Sequence, residues 1–158
     1  MRKSRAKKRT QLPDPIYGDS RVTRFVNDMM WDGKKSVAFR IFYECMGVIE
    51  KKKKDIEDPA IDVWRKALDN ITPAIEVKSR RIGGATFQVP TEIRADRKIS
   101  ISHKWMLLYA RRRSGHSMAE KLASEILDAY NNQGQAFKKK EDTHRMAEAN
   151  KAFASFKG

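Results

Sequence analysis

Cysteine is nearly absent from this chain. Cys45 stands alone, which excludes an intrachain disulfide and fits a reducing cytosol. Long apolar runs are missing too: Met106 to Ala110 is among the longest, far short of the ~20 residues that span a bilayer. The basic N-terminus is not followed by an apolar core, so the sequence predicts no signal peptide. Acids are outnumbered, 20 Asp and Glu against 34 Lys and Arg. The resulting net charge of +14 and pI of about 10.0 favour a polyanionic partner, nucleic acid before anionic membrane. Catalytic constellations are lacking as well. His103, His116 and His144 are widely spaced, and Cys45 falls on an apolar helical stripe where a cysteine fills space. Glu141 and His144 have the spacing of a di-iron helical site but lack the second copy such a site needs. There is no phosphate-loop or zinc-ligand pattern. The sequence therefore predicts a non-enzyme with no cofactor and no metal. The 158 residues show no internal repeat and suffice for one domain with a real core.

What is present is mostly helical, with one exception. Between Thr72 and Ile93, two runs rich in β-branched residues flank Gly83-Gly84, a hairpin signal. A two-residue Gly-Gly turn would pair Val77 with Pro90 and Arg80 with Phe87, mixing apolar and charged residues on each face. A three-residue loop of Ile82, Gly83 and Gly84 instead puts Ile75, Val77, Ala85, Phe87 and Val89 on one face. Glu76, Lys78, Arg80, Thr86 and Gln88 then share the other. Because a one-residue slip flips every side chain, the segregated register is the expected one. Either way the ribbon has an apolar root and a cationic tip at Lys78, Arg80 and Arg81. Such charges blunt strand edges or meet an RNA or DNA backbone; the basic excess of the whole chain favours the second.

Taken in order, residues 1 to 18 form a basic arm and an extended segment. Arg2, Lys3, Arg5, Lys7, Lys8 and Arg9 are unopposed by any acid, so this arm cannot fold alone; it is a solvated tail or orders on phosphates. Leu12-Pro13-Asp14-Pro15 imposes an extended or turning path. Residues 19 to 158 form a helical body that includes a hairpin over 74–90. Asp19 or Ser20 caps the first helix, with Val22, Phe25, Val26 and Met29 as its stripe and Gly33 as its end. Lys34, Lys35 and Ser36 open the second, whose buried face is Val37, Ile41, Phe42, Cys45, Val48 and Ile49. Cations at a helix start oppose its dipole and hint at an outside anion. Asp58-Pro59 caps the third, with Ile61, Trp64, Leu68 and Ile71 inward.

After Pro90 a helix over roughly Asp96 to Arg112 carries Ile101, Trp105 and Leu108 inward. Ser117-Met-Ala-Glu120 is a capping box for the fifth, with Ala119, Leu122, Ala123, Ile126 and Tyr130 inward and Gly134 as its end. The last, about Phe137 to Phe156, has Met146, Ala149 and Phe153 on one side and Lys138, Lys139 and Lys140 at its start. Spacing places Trp64 and Trp105 in the core and leaves Trp31 open between packing and base stacking. The predicted fold class is mainly α: a single domain of about six helices with one protruding β-hairpin between the third and fourth.

Read together, several stretches are similar to the bacterial family of small-subunit ribosomal protein seven. They are Leu12-Pro13-Asp14-Pro15, Asp32-Gly33-Lys34-Lys35-Ser36, Glu76 through Gly84, Thr86 through Pro90, Lys138 through Asp142, and His144 through Phe153. The last run is the most specific, and the resemblance covers essentially the whole chain. Ala95 departs from it, standing where many members have proline, and relatives with a tail beyond the position of Gly158 make contacts that do not carry over.

The resemblance implies a helical body with a protruding ribbon, in the cytoplasm, in the head of the small ribosomal subunit. It implies early binding to a multihelix junction in the 3′ major domain of the ribosomal RNA. The ribbon would lie near messenger RNA and the exit site for transfer RNA. Other head proteins and small-subunit protein eleven would be neighbours, and some members repress their own messenger RNA. The RNA-binding residues expected are the arm, Lys34, Lys35, Lys78, Arg80, Arg81, Arg94, Arg97, Arg111 and Arg112, with Lys138, Lys139 and Lys140. They would neutralise phosphates and read shape, since RNA helices hide their base edges. The alternative from another class is a helical DNA-binding regulator, which the short helices allow and the ribbon argues against.

Overall fold

The computed structural model describes residues 10–53 and 57–156. Six α-helices and one antiparallel hairpin follow in the order expected from the sequence: α1 (Ser20–Met29), α2 (Lys35–Lys52), α3 (Ala60–Ile71), β1 (Ile75–Ile82), β2 (Ala85–Glu92), α4 (Ala95–Arg112), α5 (Met118–Tyr130) and α6 (Gly134–Ala149). A short 3₁₀ helix, Lys151–Phe156, comes last. The chain divides into two compact units within α2, one ending at Arg40 and the other beginning at Ile41.

The first unit is built on local hydrogen bonding. The buried Asp14 carboxylate accepts from the backbone N–H groups of Ile16 and Tyr17 at 3.1 and 2.9 Å, a side-chain turn that suits a Pro-flanked aspartate. Asp19 caps α1 by accepting from the Arg21 N–H at 2.8 Å, which satisfies one of the orphan donors of the first turn. Val22, Phe25, Val26 and Met29 are buried as their spacing predicts, with Thr23 beside them. On α2 the buried residue of this unit is Ala38, whereas Val37 is exposed. Val37 therefore leaves the expected face at its first turn, where Ala38 is covered instead.

In the second unit Phe42, Cys45, Met46 and Ile49 of α2 are buried. Burial pushes the Cys45 thiol far above its ordinary value, so it is an inert packing residue. Trp64 of α3 is fully buried and meets Phe42 edge-on, ring centroids 5.4 Å apart; such pairs add about 0.5–1.5 kcal/mol to area burial. Ala60, Val63, Ala67, Leu68 and Ile71 complete the buried face of α3, and Ile61 sits at its margin. Pro59, not Asp58, is the capping residue, and it offers no side-chain acceptor. The Glu50 carboxylate takes that role from α2, accepting the Ala60 N–H at 3.2 Å. Asp58 instead accepts from the Tyr130 hydroxyl. On α5 Ser117 caps as predicted, accepting from the Glu120 N–H at 3.2 Å.

Three expectations are corrected here. The inward face of α4 is Ser102, His103, Met106, Leu107 and Ala110, while Ile101 and Trp105 are half-buried and Leu108 is exposed. Apolar residues lie all round this helix, so its period does not select a face. The last helix starts at Gly134, which therefore does not end α5, and stops at Ala149. Met146 and Ala149 are exposed; Ala136, Thr143 and Ala147 are buried instead. Its start is stabilised from a distance, because the buried Glu125 carboxylate accepts the Ala136 N–H at 2.9 Å. Gly134 has a positive φ of 87°, and a Cβ there would lie 3.0 Å from the Asp128 Cβ, so glycine is required.

The third correction is the hairpin register. Val77 pairs with Pro90, Arg80 with Phe87 and Ile82 with Ala85, which is the two-residue turn. Gly83 and Gly84 have φ of 57° and 92°, as a type I′ turn requires, and that turn matches the twist of the strands. Segregation of faces does not decide the register because the root is covered on both sides. Val89 and Pro90 are adjacent and point to opposite faces, yet both are buried. β1 packs on α6 and β2 on the 3₁₀ helix, where the Phe87 and Phe153 rings lie 5.1 Å apart.

Candidate nucleic-acid interface

The cations of the arm, Arg2, Lys3, Arg5, Lys7, Lys8 and Arg9, lie outside the described residues. The first cationic site in the structure is the turn before α2. Asp32 and Gly33 take positive φ of 52° and 70°. The Lys34 N–H donates to the Trp31 carbonyl at 2.9 Å, and the Lys35 N–H to that of Gly33 at 2.8 Å. Lys34 and Lys35 leave this turn exposed. The Lys34 ammonium lies 3.7 Å from the Asp32 carboxylate, an open pair in water worth little. Lys35 stands 5.7 Å over the Phe39 ring.

In the second unit the structure joins the hairpin to the start of α4. Glu76 on β1 accepts from Arg97 Nε at 3.0 and 2.9 Å through its two oxygens, and Arg97 Nη2 lies 2.8 Å from the same carboxylate. Lys78 reaches it as well, at 3.0 Å. Burial alone would raise the Glu76 carboxyl; the hydrogen bonds from Arg97 and Lys78 outweigh it and hold the group below its ordinary value. The same pairing raises Arg97 further. Two predicted phosphate ligands are thus brought together by a shared acid, leaving a net positive cluster. Arg94, the exposed capping residue of α4, lies one turn earlier. Arg81 is exposed and Arg80 half-buried beyond it on the ribbon.

Arg111 and Arg112 occupy the other end of α4. Along an 18-residue helix that is about 25 Å from the first cluster, so the predicted residues form separate patches. Both are exposed in the last turn, where cations suit the dipole; Arg112 lies 5.8 Å from the centre of the Tyr109 ring. Arg113, beside them, is different: it donates to Glu125 at 2.6 Å and Asp128 at 2.7 Å. Burial disfavours its charge, and the two carboxylates outweigh that and raise it above the ordinary value.

Lys138, Lys139 and Lys140 lie one turn inside α6 rather than at its start, because the helix begins at Gly134. Lys138 is exposed. Lys140 turns inward, donates to the Asn70 carbonyl at 2.8 Å and lies 4.9 Å from the Phe137 ring centre. It serves the C-terminal end of α3, where a cation is favoured. This half-buried lysine therefore has a structural partner within the protein.

Two of the three histidines are structural in placement, and His116 is exposed. His144 accepts the Ala74 N–H on Nε2 at 3.2 Å and borders an open cleft of about 450 Å³ with Ile75, Pro90, Ala147 and Lys151; His103 is buried. Among the described residues no cluster of three His, Cys, Asp or Glu is placed to hold a metal. No described helix is long and apolar enough to cross a membrane. Sequence reasoning missed Arg113 and Glu125, whose partners come from other helices. It left Trp31 open, and the structure exposes that ring.

A family model described as ribosomal protein S7p/S5e matches residues 1–151. The chain is similar to the small ribosomal subunit protein uS7 of Porphyromonas gingivalis, 64% identical over 157 residues and 99% of both chains. To the proteins of that name from Parabacteroides distasonis and Flavobacterium psychrophilum it is 62% and 60% identical over the same length, again 99% of each.

Proposed function

Because the chain belongs to the ribosomal protein S7p/S5e family, whose members are structural, non-enzymatic ribosome components, we propose that it binds small-subunit ribosomal RNA and nucleates assembly of the head. Its place is the small ribosomal subunit, in the cytoplasm, as for its uS7 relatives. The target is a multihelix junction of the 3′ major domain, met through several cationic patches at once. The observation that carries this reading is the spread of those patches over a helical body: Lys78 with Arg97 and Arg94 at one end of α4, Arg111 and Arg112 at the other. Cations on packed helices are fixed before binding, so they match a phosphate pattern in space. A folded RNA junction offers such a pattern, and its helices are recognised by shape.

The arm adds contacts that order on binding. The ribbon, fixed at its root and cationic toward its tip, reaches past the junction toward exit-site transfer RNA and messenger RNA. Neighbouring head proteins and small-subunit protein eleven meet the same region, and the messenger RNA of the chain, where it imitates the junction, is a second ligand.

Filter binding to the isolated 3′ major domain tests this. Neutralising about six to ten phosphates weakens binding by roughly 10³ to 10⁵ between about 50 and 200 mM salt on the duplex-DNA scale, and somewhat less on flexible RNA. A salt-independent dissociation constant, or a preference for duplex DNA over the folded RNA, overturns it.

A further inference from the structure

Trp31 is 67% exposed, an unusual setting for so large an apolar ring. It sits on a tightly bonded turn. The turn that presents it is closed by the bonds from Lys34 N–H to the Trp31 carbonyl and from Lys35 N–H to the Gly33 carbonyl. Asp32 is held in the left-handed region at φ 52°, a conformation that aspartate tolerates and most residues do not. The turn fixes the backbone beneath the ring, and a tryptophan, with only two χ angles, loses little freedom when a ligand covers it.

The same turn leads into Lys34 and Lys35, both exposed. A planar apolar surface and two ammonium groups thus fall within five consecutive residues. A partner protein could cover the ring, but the ring together with two cations is matched by a ligand that alternates flat apolar faces with anions. Unpaired nucleotides have that chemistry: the base stacks and the flanking phosphates are neutralised. The other tryptophans differ in setting, Trp64 being fully buried and Trp105 half-buried.

We propose that Trp31 stacks on an unpaired base of the small-subunit RNA, with Lys34 and Lys35 on the adjacent phosphates. The inference rests on the RNA-binding reading above and deepens it. Every base has a π-face, so the contact selects a looped-out or bulged nucleotide and not its identity. It ties the chain to a single-stranded feature of the junction, whereas the other patches read helical backbone.

The test compares wild type, Trp31→Phe and Trp31→Ala on the isolated 3′ major-domain RNA, with circular dichroism as the control for folding. Trp31→Ala should weaken binding roughly 5- to 150-fold, the usual range for loss of one stacked base. Trp31→Phe should retain most of the affinity. The slope of affinity against salt should stay the same in both, because no phosphate contact is removed. The emission of Trp31, isolated as wild type minus Trp31→Phe, should be quenched by RNA. If wild type fails to bind, the RNA-binding reading and this inference fall together. If wild type binds with the expected salt dependence while Trp31→Ala binds equally well and the emission is unmoved, RNA binding stands and stacking is overturned. Quenching seen only in assembled subunits, and not with RNA alone, also overturns it and assigns the ring to a protein neighbour.

Discussion

The Arg113 guanidinium lies 2.6 Å from the carboxylate of Glu125, which is fully buried. Through its other oxygen Glu125 holds the Ala136 N–H, so one acid fastens the end of α4 and the start of α6 to α5. Arg113 follows two arginines that are exposed where it is half-buried. Removing it strands a buried carboxylate. Arg113→Met should therefore cost about 3 kcal/mol of stability, while Arg112→Met stays within about 0.5 kcal/mol, as surface changes do. Denaturant midpoints of the two variants check this.

Glu76 makes hairpin stability depend on acidity. Its folded value lies below its ordinary one, so its contribution is complete above the unfolded value near 4.3. It fades as the pH falls through the folded value. Glu76→Gln should destabilise the protein by about 1 kcal/mol or less at pH 7, since the pair is partly exposed. The gap from wild type should narrow as the pH falls below the ordinary carboxylate value. Thermal melts of both proteins across that range measure it.

Lys138 and Lys140 should separate structure from binding. Lys140→Ala removes a charged donor from the Asn70 carbonyl and should cost about 1.5–3 kcal/mol of stability. Lys138→Ala should leave stability unchanged and lower RNA affinity, with a smaller salt slope. Melts combined with filter binding distinguish the two.

Affinity should divide unevenly between ribbon and helices. Arg80→Ala with Arg81→Ala should leave the fold intact and cost about 1–2 kcal/mol in RNA binding, charge-assisted contacts less the entropy of ordering the tip. Lys34→Ala with Lys35→Ala should cost more, because their turn is already bonded in place. Equal losses in the two double variants would make the ribbon an anchor.

The helices, their order and the hairpin were legible in the sequence because caps and apolar spacing are local. Asp19, Ser117 and the α1 stripe needed no knowledge of the rest of the chain. Where the signal is tertiary the sequence is silent. The α4 face depends on which of many apolar residues the neighbouring helices cover. Gly134 opens a helix because Glu125 waits for the Ala136 N–H. The hairpin register followed the two glycines and a root packed on both faces, not the alternation of charge. The cationic residues were readable by type, but the inward turn of Lys140 was not.

The closely specified turn and the root clamp together make the ribbon a lever. Five residues of β1 separate Arg81 from Glu76, so the tip stands about 17 Å from that pivot. At that length a tilt of about 5° displaces the tip by roughly 1.5 Å, about half the length of one hydrogen bond. Fidelity of position at Arg81 is therefore decided in part at Glu76 and Arg97, several residues from the charge it serves. A substitution at the pivot would misplace the tip without touching a nucleotide.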